Sequence, residues 1–404
     1  MNLRLSETIY INSSAQISKL CHSAKNLYNL ANWYVRQDFF KLNIFLNYYD
    51  LDYILKDKNV YRELPSQSSQ QILKLVNRNW RSYFGALKVY RANPNKFKNK
   101  PKIPHYKKKN GEFIVIFTNQ QCRIKEGYLY FPKKVNLKRI KTRIKEKLKE
   151  VRIIPLSIKY KIEIIYKKEE KDLGLNKNNI LSIDLGLNNL ITAVNNIGLD
   201  PIIIKGKVVK SINQYYNKQL AFYRSIENKK SNFQDTKRIQ KLHLKRDNKI
   251  NTIFHRISRF IINYCIKNNL GTIIIGYNNG WKQNINIGKK NNQKFVQIPF
   301  LRLINQVKYK SELVGISVIT INENHTSKCS FLDNEEIRHH KKYLGKRISR
   351  GLFRTSNGTL INADVKAGYN IMKKVFPNSI QVDGIEAFGL MPQIIQQNIV
   401  DPII

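Results

Sequence analysis

The run Ile180-Leu-Ser-Ile-Asp184-Leu-Gly186-Leu-Asn-Asn189-Leu-Ile-Thr-Ala-Val194 is apolar almost throughout and carries a single carboxylate. A short apolar run closed by a turn signal reads as a buried strand. The strand is expected to end at Asp184, with a tight turn at Gly186 and a second strand running back antiparallel to the first. A charge on a buried strand is costly unless something pairs with it. A divalent metal is one such partner, and a hydrogen-bonded structural carboxylate is the plainer alternative. The rest of the chain has to decide between them.

The charge balance narrows the choice. Lys and Arg outnumber Asp and Glu by 72 to 28, a net charge of +44 over 404 residues. That excess implies a polyanionic partner, either nucleic acid or an anionic membrane surface. Part of the lysine follows a Lys, Asn and Ile bias of the kind an AT-rich genome gives. No uncharged apolar run reaches the roughly 18 residues of a spanning helix. The start, Met1-Asn-Leu-Arg-Leu-Ser-Glu7, does not read as a signal peptide. A cytoplasmic, nucleoid-associated bacterial protein is expected, with no membrane partner. Cys21, Cys122, Cys265 and Cys329 form no CxxC pair and are expected to be buried small hydrophobes.

Taken in order, Leu3 to Ile11 alternates as a strand. Ser13 or Ser14 then caps a helix whose apolar face is Ile17, Leu20, Ala24, Leu27, Ala31 and Val35. Further helix is expected near Leu46 to Leu55. Another opens at Pro65 and Ser66, with Ile72, Leu75, Val76, Trp80, Phe84 and Leu87 inside. Lys74, Arg78 and Arg81 lie elsewhere on that helix, as a solvated face or as phosphate contacts. Pro94 to Lys109 reads as a basic loop containing Lys107, Lys108 and Lys109. From Gly111 to Tyr166 the period falls to two, with strands at 113–117, 122–124, 128–131, 151–154 and 158–166, which suggests a small barrel or curled sheet. Lys138 to Lys149 reads as an exposed charged segment and Lys167 to Asn179 as a linker. Beyond Val194 the expected elements are a strand at 201–205, a basic helical stretch over 211–267, and strands at 272–276 and 316–321. A helix follows Pro299, a basic loop spans Arg338 to Arg354, and Asn362 caps a last helix.

Strand, strand, strand, helix, strand, helix, strand, loop, helix is the order of an RNase H-like fold. Such a fold performs metal-dependent phosphodiester chemistry with carboxylates from strand ends and a late helix. Two Mg²⁺ ions about 4 Å apart share hard oxygen ligands. Asp184 ends the first strand, and Asp364 sits in the first turn of the last helix beside Ala367 and Gly368. That small, apolar face would let the helix approach the sheet.

The motifs Ile183-Asp-Leu-Gly-Leu-Asn-Asn-Leu190, His325-Thr-Ser-Lys-Cys-Ser330 and Asn362-Ala-Asp-Val-Lys-Ala-Gly-Tyr-Asn-Ile371 resemble the RuvC motifs of TnpB proteins, transposon-encoded RNA-guided nucleases related to type V CRISPR effectors. The likeness runs over nearly the whole chain. Tyr277-Asn-Asn-Gly-Trp-Lys-Gln283 and Gly351-Leu-Phe-Arg354 resemble one subgroup. The resemblance implies a guide RNA from the element's own end, recognition of a short DNA motif, and cleavage of the opened duplex by a single RuvC site. Three departures stand out. The family's usual second acid ends the fourth strand, where this chain has Gly276. Glu323 lies at the end of the next strand, and neighbouring strands are about 4.8 Å apart. Glu323 is therefore expected as a relocated ligand, the alternative being a surface residue beside a dead site. The family often carries a zinc ribbon of two CxxC pairs, but only Cys329 stands in that segment; His325, His339 and His340 complete a set poorly, so zinc is not expected. Lys366 replaces a common Asn, either pointing to phosphate or signalling weakened activity.

These observations lead to an α+β multidomain fold. A first wedge strand (1–12), a helical recognition domain (13–95) and a β-barrel wedge (96–170) precede a RuvC nuclease domain (171–404). That last domain has a basic helical insertion at about 207–268 and a degenerate zinc-ribbon loop at about 325–360. The expected ligands of Mg²⁺ are Asp184, Glu323 and Asp364. Expected nucleic-acid contacts are Lys74, Arg78, Arg81, Lys107, Lys108, Lys109, Trp281, Lys282, Arg347, Arg350 and Arg354. The partners would be a guide RNA and target double-stranded DNA, bound by a monomer or homodimer. The alternatives are a nuclease-inactive RNA-guided repressor and a transposase or transposition accessory protein. The tail from Gly384 is read as a mobile segment.

Overall fold

The computed structural model describes residues 2–227, 236–278, 280, 286, 288–380 and 390–395. The chain separates into two compact units, residues 2–168 and residues 169 onward.

The N-terminal unit begins with β1 (Asn2–Ile11), followed by α1 (Ala15–Leu42), α2 (Tyr48–Leu55), α3 (Asn59–Arg62) and α4 (Ser66–Ala92). Ser14 caps α1, its side chain accepting from the Ile17 N–H, and Asn43 ends it in the left-handed region at φ 56°. The apolar positions spaced by threes and fours are buried as expected, from Ile17 to Val35. In α4 the buried Trp80 indole donates to Asn32 Oδ1 of α1 at 2.8 Å, so the polar tip of the largest core side chain is satisfied.

Six short strands follow: β2 (Val115–Thr118), β3 (Arg123–Lys125), β4 (Tyr128–Tyr130), β5 (Ile140–Lys141), β6 (Leu148–Pro155) and β7 (Tyr160–Glu169). They form two sheets, in the orders β1-β7-β6-β2 and β3-β4-β5. Glu126 and Gly127, at φ 53° and 73°, make the two-residue turn between β3 and β4, the hairpin geometry that needs left-handed residues. Two expectations are corrected here. The charged stretch 138–149 is not wholly exposed: it holds β5 and buries Ile144 and Leu148. The segment read as a linker after Tyr166 continues β7 to Glu169, and beyond it the N–H groups of Lys171 and Leu173 donate to the carbonyls of Leu313 and Val314.

The second unit contains β8 (Ile180–Asp184), β9 (Asn189–Asn195), β10 (Ile202–Lys205), α5 (Lys207–Glu227), α6 (Lys237–Lys267), β11 (Thr272–Gly276), α7 (Lys289–Val296), α8 (Phe300–Glu312) and β12 (Ser317–Ile321). After these come β13 (Lys346–Ser349), β14 (Leu352–Arg354), β15 (Leu360–Asn362), α9 (Ala363–Val375) and β16 (Gln393–Ile395). The main sheet has the order β12-β11-β8-β9-β10-β16. Strand β8 pairs antiparallel with β9 and parallel with β11, which pairs parallel with β12.

Both faces of this sheet are covered, and the period of two along each strand divides the core. Leu181, Ile183, Ile273 and Ile275 join residues of α6 and α8 such as Phe254, Ile261 and Leu303. Ile180, Val194 and Ile274 join Val365, Ile371 and Met372 of α9. Such two-sided burial explains why β8 and β11 read as continuous apolar runs. Among the described residues no helix is long and apolar enough to cross a membrane.

Two segments depart from the sequence reading. The basic loop expected at 338–354 contains an antiparallel ribbon, β13-β14-β15, with Gly351 at φ 87° in its turn. All four residues of β13 are exposed, so no apolar alternation marked it. Part of the tail, β16, adds a parallel strand beside β10. The rest of the tail lies outside the described residues.

Candidate active site

Because β8, β11 and β12 are parallel, their C-terminal ends lie along one edge. Asp184 is the last residue of β8, and Gly276, the last of β11, is paired with Ile321, the last of β12. Glu323 follows two residues later. Its N–H donates to Asn278 Oδ1 at 3.0 Å, and its carbonyl accepts from the Thr326 hydroxyl at 2.8 Å. The turn after β12 is thereby tied to the end of β11.

Gly276 and Glu323 are sterically linked. A Cβ at 276 would lie 2.8 Å from Glu323 Oε2 and 2.6 Å from Ile371 Cδ1, both below any ordinary contact. Glu323 thus fills the space above the end of β11 where a side chain at 276 would begin. Its Oε2 is buried and has no hydrogen-bond partner among the described residues. Burial raises the Glu323 carboxyl to about 7. Asp184 is held well above the usual carboxylate range, first by burial, then by the charges of Glu323 and Asp364. The Leu185 N–H and Arg347 oppose that shift.

Asp364 is delivered by α9. Asn362 Oδ1 caps the helix, accepting from the N–H groups of Asp364 at 3.0 Å and Val365 at 3.2 Å. A carboxylate in the first turn is favoured there by the helix dipole. The close approach of α9 to the sheet depends on Gly368. Its carbonyl accepts from the Ser182 hydroxyl at 2.8 Å, and a Cβ on it would lie 3.2 Å from Val194. Asp364 Oδ2 accepts from Asn189 Nδ2 at 2.6 Å, and Oδ1 lies 3.7 Å from the Arg347 guanidinium.

Asp184 and Asp364 line an open cleft of about 890 Å³ together with Asn189, Lys205, Arg347 and Arg350. Acids that raise one another's proton affinity, ringed by cations, form a place where a hard cation would relieve repulsion while the rim meets an anion. The unpartnered Glu323 Oε2 fits such an ion. Among the described residues, however, no three His, Cys, Asp or Glu groups are gathered tightly enough to enclose one.

The remaining expected contacts are placed unevenly. Lys74, Arg78 and Arg81 are exposed along one face of α4, and Lys108, Lys109, Arg350 and Arg354 are exposed as well. Lys107 instead turns inward: its ammonium lies 4.9 Å from the ring centroids of both Tyr28 and Phe113. Trp281 and Lys282 fall outside the described residues.

Lys366 does not point to phosphate. It is fully buried, with Nζ donating to the Ser327 carbonyl at 2.8 Å and lying 3.9 Å from the centre of the Phe353 ring. The other side of the same helix turn holds Asp364, because residues two apart on a helix face nearly opposite ways. Around Cys329 the segment is organised by hydrogen bonds. Asn370 Nδ2 donates to the carbonyls of Thr326 and Cys329, and the buried Glu335 carboxylate accepts from the N–H groups of Ser330 and Leu344. The sequence reading missed Asn189 and Lys205. The only available signal was their position, just past a turn and at a strand end.

The fold is that of a mixed α+β multidomain protein of the Cas12f type. The chain matches the structure titled "Cryo-EM structure of the Cas12f1-sgRNA-target DNA complex" with a TM-score of 0.54 at 17% identity, over 88% of this chain and 82% of that one. A structure of "the mini-RNA-guided endonuclease CRISPR-Cas_phi3" matches at a TM-score of 0.44 and 11% identity, over 92% of each chain. The OrfB_IS605 family model, described as a probable transposase, matches residues 163–282, and the Cas12f1-like TNB domain model matches residues 300–371. The chain is TnpB-like. No curated protein matches it in sequence.

Proposed function

We propose that this protein is an RNA-guided DNA endonuclease of a transposable element, with one RuvC-type site in an RNase H-like domain that begins after the β-rich wedge. The strand order and directions of β8 to β12 and the late helix α9 support that domain reading. Asp184, Glu323 and Asp364 would hold Mg²⁺, which supplies Lewis-acid polarisation of the scissile phosphate and an activated water when bound. The chain's own residues do the remainder. Asp184 and Glu323 present carboxylates at neighbouring strand ends, and α9 brings Asp364 to them. Arg347 and Arg350 offer guanidinium groups to phosphate oxygens across the cleft. Base pairing with a guide RNA reads the target, and the excess of positive charge holds its backbone. The partners in the titles of the similar structures, guide RNA and target DNA, are consistent with this assignment.

The observation that carries the reading is the exchange between Gly276 and Glu323. The strand end without an acid is the one whose missing side chain makes room for an acid from the next strand. A decayed site has no need of that fit. The test is cleavage of a plasmid library with randomised flanks by protein purified with its co-expressed RNA, in Mg²⁺ or EDTA. Cutting should require Mg²⁺ and disappear in both Asp184→Ala and Glu323→Gln. Target binding without cutting by the unaltered protein would refute the nuclease and favour the repressor reading, with Gly276 as its cause.

A further inference from the structure

Asp364 is supported by a chain of contacts that ends on a cation. Its Oδ2 accepts from Asn189 Nδ2 at 2.6 Å, and Asn189 Oδ1 in turn accepts from Lys205 Nζ at 2.9 Å. Strand β10 pairs antiparallel with β9, and a register shift between Ile204 and Lys205 sets Lys205 opposite Asn189. Two glycines permit the tight turn that presents Asn189. A Cβ on Gly186 would lie 2.6 Å from the Asn189 carbonyl oxygen, and one on Gly206 would lie 2.5 Å from the Leu187 carbonyl oxygen. Gly206 N–H also donates to the Asn188 carbonyl at 2.7 Å, and Lys210 Nζ donates to Asn188 Oδ1 at 2.6 Å. The turn after Asp184 is thus pinned on its far side by β10 and the start of α5.

Lysine chemistry gives this arrangement a direction. An ammonium group only donates, whereas an amide has one donor end and one acceptor end. With Lys205 beneath it, Asn189 must turn Oδ1 towards the ammonium and Nδ2 towards Asp364. Without Lys205, the amide could rotate and set its oxygen against the carboxylate. We propose that Asn189 and Lys205 are positioning residues that commit Asp364 Oδ2 to the protein and leave Oδ1 as the oxygen offered to a metal ion. This inference rests on the reading of the cleft as a metal-dependent site. In the structure described here Oδ1 faces the Arg347 guanidinium at 3.7 Å, beyond hydrogen-bond length. Arg347 therefore neutralises the oxygen that the ion would take, and it can turn to a phosphate when displaced.

The experiment is a Mn²⁺ titration of the full-length protein, following the free-ion signal by electron paramagnetic resonance, with thermal unfolding measured on the same samples. Asn189→Ala and Lys205→Met should each weaken binding by about 10- to 100-fold, the usual scale for supports of metal ligands. Lys205→Arg, which keeps a donor-only cation, should retain most of the affinity. Unchanged binding in folded Lys205→Met would overturn the proposal, as would equal losses in Lys205→Met and Lys205→Arg. Asp184→Ala separates the two levels of failure. If it abolishes binding while Asn189→Ala and Lys205→Met do not, only the positioning role falls. If it too leaves binding unchanged, the metal site falls and this inference with it.

Discussion

The first turn of α9 carries two charges that face opposite ways. On one side Asp364 opens to a cleft and meets Asn189 and Arg347. On the other, Lys366 is fully buried against Ser327 and Phe353. Both residues stand in the same motif of the sequence, and a linear reading gives both to the chemistry. The helix assigns them separately. The cleft side keeps a carboxylate partly solvated and surrounded by groups it could exchange. The buried side fixes a cation with one hydrogen bond and one aromatic face, joining α9 to the segment at Ser327 and to β14. Proximity to an active residue in sequence is therefore no measure of proximity in function when the element is a helix.

Asp364→Asn should break the comparison from the cleft side with the largest effect. Loss of one charged ligand should lower the cleavage rate by roughly 1,000-fold or more, corresponding to several kcal/mol of lost transition-state stabilisation. RNA binding and melting temperature should be nearly unchanged, because the amide can still accept from Asn189. A rate within tenfold of the unaltered protein in a plasmid-cleavage time course would remove Asp364 from the site.

Gly276→Ala comes next. The added methyl would meet Ile371 and Glu323 at sub-contact distances, so either α9 or the Glu323 side chain must move. An overpacking cost of about 1–3 kcal/mol is expected, and cutting should fall by roughly one to two orders of magnitude if that energy is taken from Glu323's placement. Equal losses of stability in Gly276→Ala and in Gly276→Ala combined with Glu323→Gln would show that Ile371, and not Glu323, bears the strain.

The features that could be read in advance share a physical basis. The strand ending at Asp184, its antiparallel return and the helix capped by Asn362 were legible because period and capping are local signals. Placing Asp184, Glu323 and Asp364 near one another needed only the strand order. The ribbon 346–354 was not legible, since its first strand is exposed on both faces. The inward turns of Lys107 and Lys366 were hidden for another reason. A lysine buries its stem and its charge only where aromatic rings and carbonyls from distant segments wait for it, and no local pattern reports those. The support of Asp364 by Asn189 and Lys205 depends on a register shift between strands, which is likewise invisible in sequence.

The buried side of α9 gives the smallest effect and the sharpest sign. Burial lowers the Lys366 ammonium from its ordinary value of 10.5 to about 8. Between pH 8 and pH 10.5 the unfolded chain then binds more protons at this residue than the folded one does. Stability rises with pH wherever the unfolded state holds the excess, so this lysine penalises folding fully below about pH 8, and the penalty fades as pH climbs towards 10.5. Lys366→Met preserves much of the volume and removes the charge, a replacement that is often neutral or stabilising at buried ionic sites. The variant should therefore melt at or slightly above the unaltered protein at pH 7, and its advantage should shrink as pH rises from 8 to 10. Thermal unfolding of both proteins across that range measures the difference directly, with the other titrating groups common to both. A gap that widens with pH would mean that Lys366 is held charged by its partners, and that the hydrogen bond to Ser327 and the Phe353 ring outweigh its burial.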